Sequence, residues 1–249
     1  KNFFQNFVQP NICVLENINI EQNELTEYMN ELGRDLFTNN FQLTLREFEE
    51  SDNYGSLIKP SLVDIKPIIQ TLKSKDISNN LFLNKTNQLV NKVLNQTKYL
   101  NQKYHIVVTN PPYMGIRGMN NQLNIFVNKN FPDTKYDLCA AFIERSLSMT
   151  INKGIMAMIN MQSWMFISSF EELRKKLILN TTLISMAHIG PRGFDTIGGE
   201  IVSTTAFIIQ KKLNRIYKGK FFRLVDASSE MEKSRLFKEA INNPNCGYF

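Results

Sequence analysis

The residues of this chain that are best suited to chemistry are Asn110, Pro111, Pro112 and Tyr113, which follow a short β-branched run. They fit the activation of a planar exocyclic amine, which is a poor nucleophile because its lone pair is delocalised into the ring. Two acceptors aimed at the amine hydrogens favour the pyramidal nitrogen that forms as a methyl group is attacked. The side-chain oxygen of Asn110 and the backbone carbonyl of Pro111 are the predicted acceptors, and Tyr113 offers a flat face on which a base can stack.

This chemistry requires neither a metal ion nor a titrating general base. The chain has only two histidines, His105 and His188, and three widely spaced cysteines without a CxxC pair, so no metal site is expected. A base inside a duplex cannot reach such a loop and would have to be flipped out.

The segment before the loop predicts where the four residues lie. Residues 106–108 are β-branched and predict a buried strand, which the two prolines end because they lack an N–H and have a restricted φ. In an open α/β sheet, ligands bind at the carboxyl ends of the strands. We therefore expect a stiff loop at the ligand-binding edge of a sheet.

Apolar periodicity along the chain predicts a doubly wound α/β fold. Further strands are predicted at residues 11–17, 155–161, 183–189, 201–209 and 221–226. Helices are predicted at residues 21–32, 41–50, 86–100, 134–149, 168–179 and 228–241. Residues 18–100 then form a helical insertion between two strands. The polar segment 115–130 suggests a lid over the loop, and a break is expected at Pro67.

Charge and cysteine content indicate the compartment and the partner. Residues 1–100 have ten basic and twelve acidic side chains, whereas residues 101–249 have nineteen and eleven. A basic excess around the candidate loop is the pattern expected for a nucleic-acid partner. An odd number of dispersed cysteines, no membrane-length apolar run and no signal peptide predict a soluble cytoplasmic protein.

Five blocks of the sequence resemble one family, the PglX adenine-specific DNA methyltransferases of BREX phage-defence systems, within the larger class of N6-adenine methyltransferases. The similarity is strongest over residues 104–210. The blocks are residues 110–115, 137–145, 161–166, 187–192 and 198–202. The resemblance implies a Rossmann-like sheet, S-adenosylmethionine as cofactor, double-stranded DNA as substrate and other phage-defence proteins as partners.

The resemblance also implies roles for individual residues that bind the substrate. Asn110 and Pro111 would hold the adenine amine, and Tyr113 would stack on the base. A second aromatic residue against the flipped base is expected from the loop before the last strand, where Phe194 is the candidate.

Three residues are predicted cofactor contacts on the same basis. Leu138 and Phe142, on the helix after the loop, match positions that line the pocket for the cofactor's adenine, with packing in the helix core as the alternative. Asn17, or its neighbour Glu16, would provide a polar contact at the end of the first strand.

One feature of the family pattern is missing from this chain. The Gly-rich turn that grips the methionine part of the cofactor requires a G-x-G, which the sequence lacks. We therefore expect the chain to contain the later strands of a methyltransferase sheet in residues 1–210, and a basic linker with the start of another region in 211–249. Such a fragment alone is expected to bind cofactor weakly and to be inactive. A protein-glutamine or RNA methyltransferase and a non-catalytic DNA-binding piece are the alternatives.

Overall fold

The chain divides into two compact units, residues 1–102 (unit 1) and residues 103–249 (unit 2). The structure is a computed structural model that describes residues 9–75, 81–194, 202–243 and 245–247. Among those residues, no helix combines the length and the hydropathy that crossing a membrane requires.

The described part of unit 1 is helical. Its α-helices are α1 (Gln22–Leu32), α2 (Asn39–Glu47), α3 (Ser51–Tyr54), α4 (Lys66–Ser74) and α5 (Leu81–Asn101). Tyr28 on α1 is fully buried, and its hydroxyl donates a hydrogen bond to the side-chain oxygen of Asn87 on α5, 2.7 Å away. Pro67 lies in the first turn of α4, so the predicted break is the start of a helix, where the missing N–H costs no hydrogen bond.

The strand predicted at residues 11–17 is wrong, because the described residues of this segment form no strand. The backbone N–H of Glu16 donates to the side-chain oxygen of Gln96, and the N–H of Ile18 donates to the carbonyl of Phe48. These hydrogen bonds take the place of those that a neighbouring strand would form. The side chain of Val14 is 68% exposed, so it is not in the core of a sheet. Residues 18–100 are therefore not an insertion between two strands of the described structure.

Unit 2 contains a five-stranded sheet in the order β1-β2-β4-β3-β5. Its strands are β1 (Tyr104–Thr109), β2 (Thr150–Met161), β3 (Thr182–Gly190), β4 (Thr204–Gln210) and β5 (Lys220–Arg223). β1 runs parallel to β2, and β3 parallel to β5, whereas β4 lies antiparallel between β2 and β3. The predicted α/β class with a partial Rossmann-like sheet is confirmed.

The two faces of the sheet differ in how they are covered. On one face, α7 (Leu138–Met149) and α9 (Glu171–Asn180) pack on a core that includes Phe207, which is 2% exposed. Burial of each such side chain contributes about 1.5–3 kcal/mol. On the other face, Ile106 and Val108 of β1 are 62% and 73% exposed. The strand at residues 106–108 is confirmed, but its predicted burial is wrong because β1 is an edge strand with one open face.

The sheet continues past residue 210, which corrects the predicted boundary at that position. β5 pairs with β3, with Phe222 opposite Ala187. The final helix, α10 (Glu230–Asn242), packs Leu236 and Ala240 against Phe222. Residues 220–242 therefore belong to unit 2 rather than to a linker, because their apolar side chains are buried in it.

The segment predicted as a lid contains a helix, and its role as a lid stays a prediction. α6 (Asn121–Asn130) begins after Asn120, whose side-chain oxygen accepts a hydrogen bond from the N–H of Leu123 at 2.8 Å. Leu123 and Val127 are buried, so the polar composition of the segment masked one apolar face.

Candidate active site

The loop of residues 110–113, here the NPPY loop, begins where β1 ends. Thr109, the last residue of β1, pairs with Met158 of β2. Asn110 is exposed, Pro111 is buried and Tyr113 is half-buried. The four predicted catalytic residues thus lie at the carboxyl edge of the sheet, with the buried proline holding the backbone and the Asn side chain accessible to a ligand.

Hydrogen bonds tether the residues after the NPPY loop to the start of α7. The backbone N–H of Leu138 donates to the carbonyl of Met114 at 3.0 Å, and the N–H of Ile116 donates to the carbonyl of Tyr136 at the same distance. Because α7 packs on β2, these bonds connect the loop to the core of unit 2.

A third tether is the thiol of Cys139, which donates a hydrogen bond to the carbonyl oxygen of Pro112 at 3.4 Å. Burial, together with the nearby Asp137 carboxyl, raises the pKa of Cys139 to about 12. The thiol therefore stays protonated at neutral pH and keeps the hydrogen atom that it donates.

Asp137 caps the helix that contains this thiol. Its side-chain oxygen accepts a hydrogen bond from the backbone N–H of Cys139 at 2.7 Å. The expected helix start at residue 134 is three residues too early, because Asp137 is itself the N-cap. Sequence reasoning missed Cys139 as a loop contact; the capping Asp two residues before it was the available signal.

The Tyr113 side chain is partly buried by the surrounding protein. Burial raises the pKa of its phenol, and the neighbouring Cys139 thiol adds to the shift. The ring is therefore neutral at physiological pH, as a stacking surface for an uncharged base requires.

A cavity of about 480 Å³ adjoins Asn110 on the open face of the sheet. It extends from Val108 and Asn110 across the strands to Phe222 and Phe237, and most of its lining is apolar. Asn110 is thus a polar group at the border of an apolar recess, an arrangement that suits a flat, weakly polar ligand.

Leu138 and Phe142, the predicted contacts for the cofactor's adenine, take part in packing. Leu138 is 4% exposed, and Phe142 packs against the core of Met156, Met158 and Phe207 on the covered face. Their predicted role at the cofactor stays a prediction.

Phe194 lies four residues beyond β3 and is half-buried. Because β3 is parallel to the strands that end beside the NPPY loop, Phe194 follows the same edge of the sheet. Residues 195–201, the remainder of this loop, lie outside the described residues. Contact of Phe194 with a flipped base stays a prediction.

Asn17, the predicted polar cofactor contact, belongs to unit 1. Its side-chain oxygen accepts a hydrogen bond from the backbone N–H of Asp52 at 2.9 Å, in the first turn of α3. The strand that was expected to end at Asn17 is absent from the described residues, and the observed bond caps the start of α3. Contact of Asn17 with the cofactor stays a prediction.

Comparison with known proteins identifies relatives. The family model described as Eco57I restriction-modification methylase matches residues 16–194. The adenine-specific methyltransferase BrxX of Escherichia coli O9:H4 (strain HS) is 40% identical over 206 residues, which cover 82% of this chain and 17% of that protein. The adenine-specific methyltransferase PglX of Lacticaseibacillus casei (strain Zhang) is 35% identical over 252 residues, which cover 98% of this chain and 21% of that protein.

The chain therefore spans about a fifth of the length of these curated relatives. Among solved structures, the modification subunit of a putative type I restriction enzyme from Vibrio vulnificus YJ016 is similar, with a TM-score of 0.42 and 11% identity. That match covers 70% of this chain and 45% of the subunit.

Proposed function

Since this chain belongs to the Eco57I restriction-modification methylase family, we propose that it forms part of the catalytic domain of a PglX-type, site-specific DNA adenine methyltransferase. Such an enzyme transfers a methyl group from S-adenosylmethionine to N6 of an adenine flipped out of double-stranded DNA. It would act in the cytoplasm, together with other phage-defence proteins. The observation that most directly supports this proposal is the exposed Asn110 on a tethered loop at the carboxyl edge of the sheet.

In this proposal the NPPY loop holds the adenine. The side-chain oxygen of Asn110 and the carbonyl oxygen of Pro111 accept hydrogen bonds from the amine and favour its pyramidal form. Pro112 and the buried Pro111 restrict the backbone, so the two acceptors need little reorganisation when the base arrives. The neutral ring of Tyr113 stacks on the base.

The described residues fit the part of the site that binds the substrate adenine, and not the part that binds the methionine end of the cofactor. S-adenosylmethionine supplies an electrophilic methyl group when it is bound. The chain lacks a G-x-G turn, and the cavity beside Asn110 is mostly apolar. We therefore assign no contact to the charged methionine end of the cofactor within this chain, and we expect other parts of the longer polypeptide to hold it.

The test is Asn110→Ala in the full-length polypeptide that contains this chain. Loss of one preorganised acceptor is expected to lower the methylation rate by about a hundredfold or more, with DNA binding retained. Asn152→Ala is the matched control, because Asn152 is also exposed but lies near the amino end of β2, at the opposite edge of the sheet. Unchanged methylation in Asn110→Ala would contradict the role assigned to this residue.

The substrate class is tested separately. With a labelled methyl donor, the full-length protein is expected to label adenine in duplex DNA, and the nineteen basic against eleven acidic side chains of residues 101–249 favour a nucleic acid. Labelling confined to RNA or to protein glutamine would replace the DNA assignment.

A further inference from the structure

The carboxyl edge of the sheet contains a second cluster, formed by Gln162, Phe166 and His188, to which the function proposed above gives no role. Gln162 and Phe166 follow β2, and His188 lies near the end of β3. The Nε2 atom of His188 lies 2.6 Å from the side-chain oxygen of Gln162. The ring centroids of Phe166 and His188 are 5.6 Å apart at an angle of 43°. The three side chains form one continuous surface.

The backbone that presents Phe166 is firmly anchored. Trp164, which is 6% exposed, donates from its indole N–H to the side-chain oxygen of the fully buried Asn160 at 3.1 Å. The guanidinium of Arg174 donates to the carbonyl of Trp164 at 2.9 Å and to that of Ile167 at 2.7 Å. The short helix α8 (Ser163–Phe166) is therefore fixed on both sides of Phe166.

Despite this anchoring, the Phe166 side chain is 61% exposed. Two residues earlier, Trp164 provides the buried aromatic contact for the same turn, with its ring centroid 5.0 Å from that of Phe207. The fold thus uses Trp164 for packing and leaves most of Phe166 accessible on a rigid support. A fixed, accessible aromatic face is the surface on which nucleobases stack.

The electrostatics of this surface suit an uncharged base. Burial lowers the pKa of His188, and the positive charges of Arg223 and Lys233 lower it further. The imidazole is therefore neutral at physiological pH. Arg223 is paired with Asp226, and the buried Lys233 donates to the carbonyls of Ile189 and Leu224, so the rings of Phe166 and His188 together present an uncharged face.

The strand register gives the position of this surface relative to the NPPY loop. Continuing the pairing of Thr109 with Met158 puts Asn110 level with Ile159, three residues before Gln162. With about 3.3 Å per residue and about 4.8 Å between strands, the backbones of Asn110 and Gln162 are about 11 Å apart. Both surfaces can thus contact one DNA substrate at neighbouring nucleotides.

We propose that Phe166, supported by His188 and Gln162, is a nucleobase-stacking residue that contacts a DNA base next to the adenine held at Asn110. This inference rests on the proposed function, because it requires DNA as the substrate. Flipping one base removes a stacking partner from its neighbours in the duplex. Phe166 replaces that partner and stabilises the opened DNA.

The experiment is Phe166→Ala in the full-length polypeptide, with DNA affinity and methylation measured on duplexes that contain the recognition site. Removal of one stacking contact is expected to weaken DNA binding between about fivefold and a hundredfold. The turnover number at saturating DNA is expected to change little, since the NPPY loop is intact. Phe166→Tyr, which keeps the aromatic face, is expected to retain near-wild-type affinity.

Ile178→Ala is the matched control, because Ile178 is an apolar side chain on α9 that is 72% exposed. Should Phe166→Ala fail to fold, Phe166→Leu keeps the apolar volume without the aromatic face and gives the same readout. As a second measurement, 2-aminopurine at the position beside the target adenine is expected to be quenched by the wild type and not by Phe166→Leu.

Wild-type DNA affinity in the folded Phe166→Ala and Phe166→Leu variants would overturn the proposal. The proposal would also be overturned if the variants unfold at a lower temperature than the wild type but bind DNA with unchanged affinity. That result would show that Phe166 packs against another part of the polypeptide. Failure of the proposed function is distinct and is read from the unsubstituted protein, as absence of adenine methylation in DNA.

Discussion

The Cys139 thiol donates a hydrogen bond to the carbonyl oxygen of Pro112, with 3.4 Å between sulfur and oxygen. This contact joins the first turn of α7 to the NPPY loop over a separation of 27 residues. Pro112 directly follows Pro111, whose carbonyl is one of the two proposed acceptors for the adenine amine. The orientation of that acceptor therefore depends on the position of α7.

Replacement of Cys139 is expected to impair turnover more than DNA binding. Cys139→Ala removes the donor to Pro112, so the loop carbonyls are less firmly oriented, and the turnover number should fall by roughly tenfold with little change in KM for DNA. Steady-state methylation by the full-length protein measures both constants. Cys139→Ser, whose hydroxyl can donate to the same carbonyl, should recover most of the loss; equal turnover in the Ala variant and the wild type would refute this role.

Asp137 is expected to make the local stability of the first turn of α7 dependent on pH. Burial raises the pKa of Asp137, so the folded state holds the proton more tightly than the unfolded chain. The stability contributed by this shift is present below the ordinary pKa and is lost as the pH rises through the raised value. Asp137→Asn keeps a capping oxygen without the charge. Relative to wild type, it should therefore gain stability between about pH 4 and about pH 7.

Amide hydrogen exchange in the first turn of α7, corrected for intrinsic rates, measures this difference. Asp137→Ala is the control without a cap, and it should be about 1 kcal/mol less stable locally than Asp137→Asn at either pH, because neither of these side chains titrates. A constant difference between the Asn variant and the wild type across this pH range would show that Asp137 does not titrate as described.

Trp164→Phe is expected to loosen the turn that presents Phe166. The indole N–H is the donor to the buried side-chain oxygen of Asn160, and loss of that partner costs about 1–3 kcal/mol. Amides of residues 163–167 should exchange faster, and DNA affinity should fall through Phe166. Phe170→Leu, a change at another buried aromatic side chain (3% exposed), is the control for lost volume. Equal exchange at residues 163–167 in Trp164→Phe and the wild type would contradict the anchoring role.

The isolated chain is expected to bind S-adenosylmethionine weakly and to methylate no DNA. It contains the proposed adenine contacts but no G-x-G turn for the methionine end of the cofactor. Isothermal titration of the purified chain with S-adenosylmethionine measures the affinity, with the full-length protein as the positive control. A low-micromolar dissociation constant for the isolated chain would mean that its residues hold more of the cofactor than we infer.

Predictions from local pattern succeeded where burial follows a single helix or strand. The helices around Leu25 and Val90 and the strands around Met158 and Phe207 are confirmed. They failed at Val14, where an apolar run found no neighbouring strand, and the boundary placed at residue 210 failed because β5 joins the sheet beyond it. Periodicity describes one element and contains no information about what covers it.

The sequence alone determined the chemistry of the NPPY loop and its place after a strand. Amide, proline and aromatic groups have these properties wherever they occur, and two prolines end a strand in any context. Only the tertiary structure decided that Cys139 orients Pro112, that Trp164 is buried while Phe166 is exposed, and that β5 extends the sheet. These facts depend on contacts between residues far apart in the chain, which the packing of the whole unit selects.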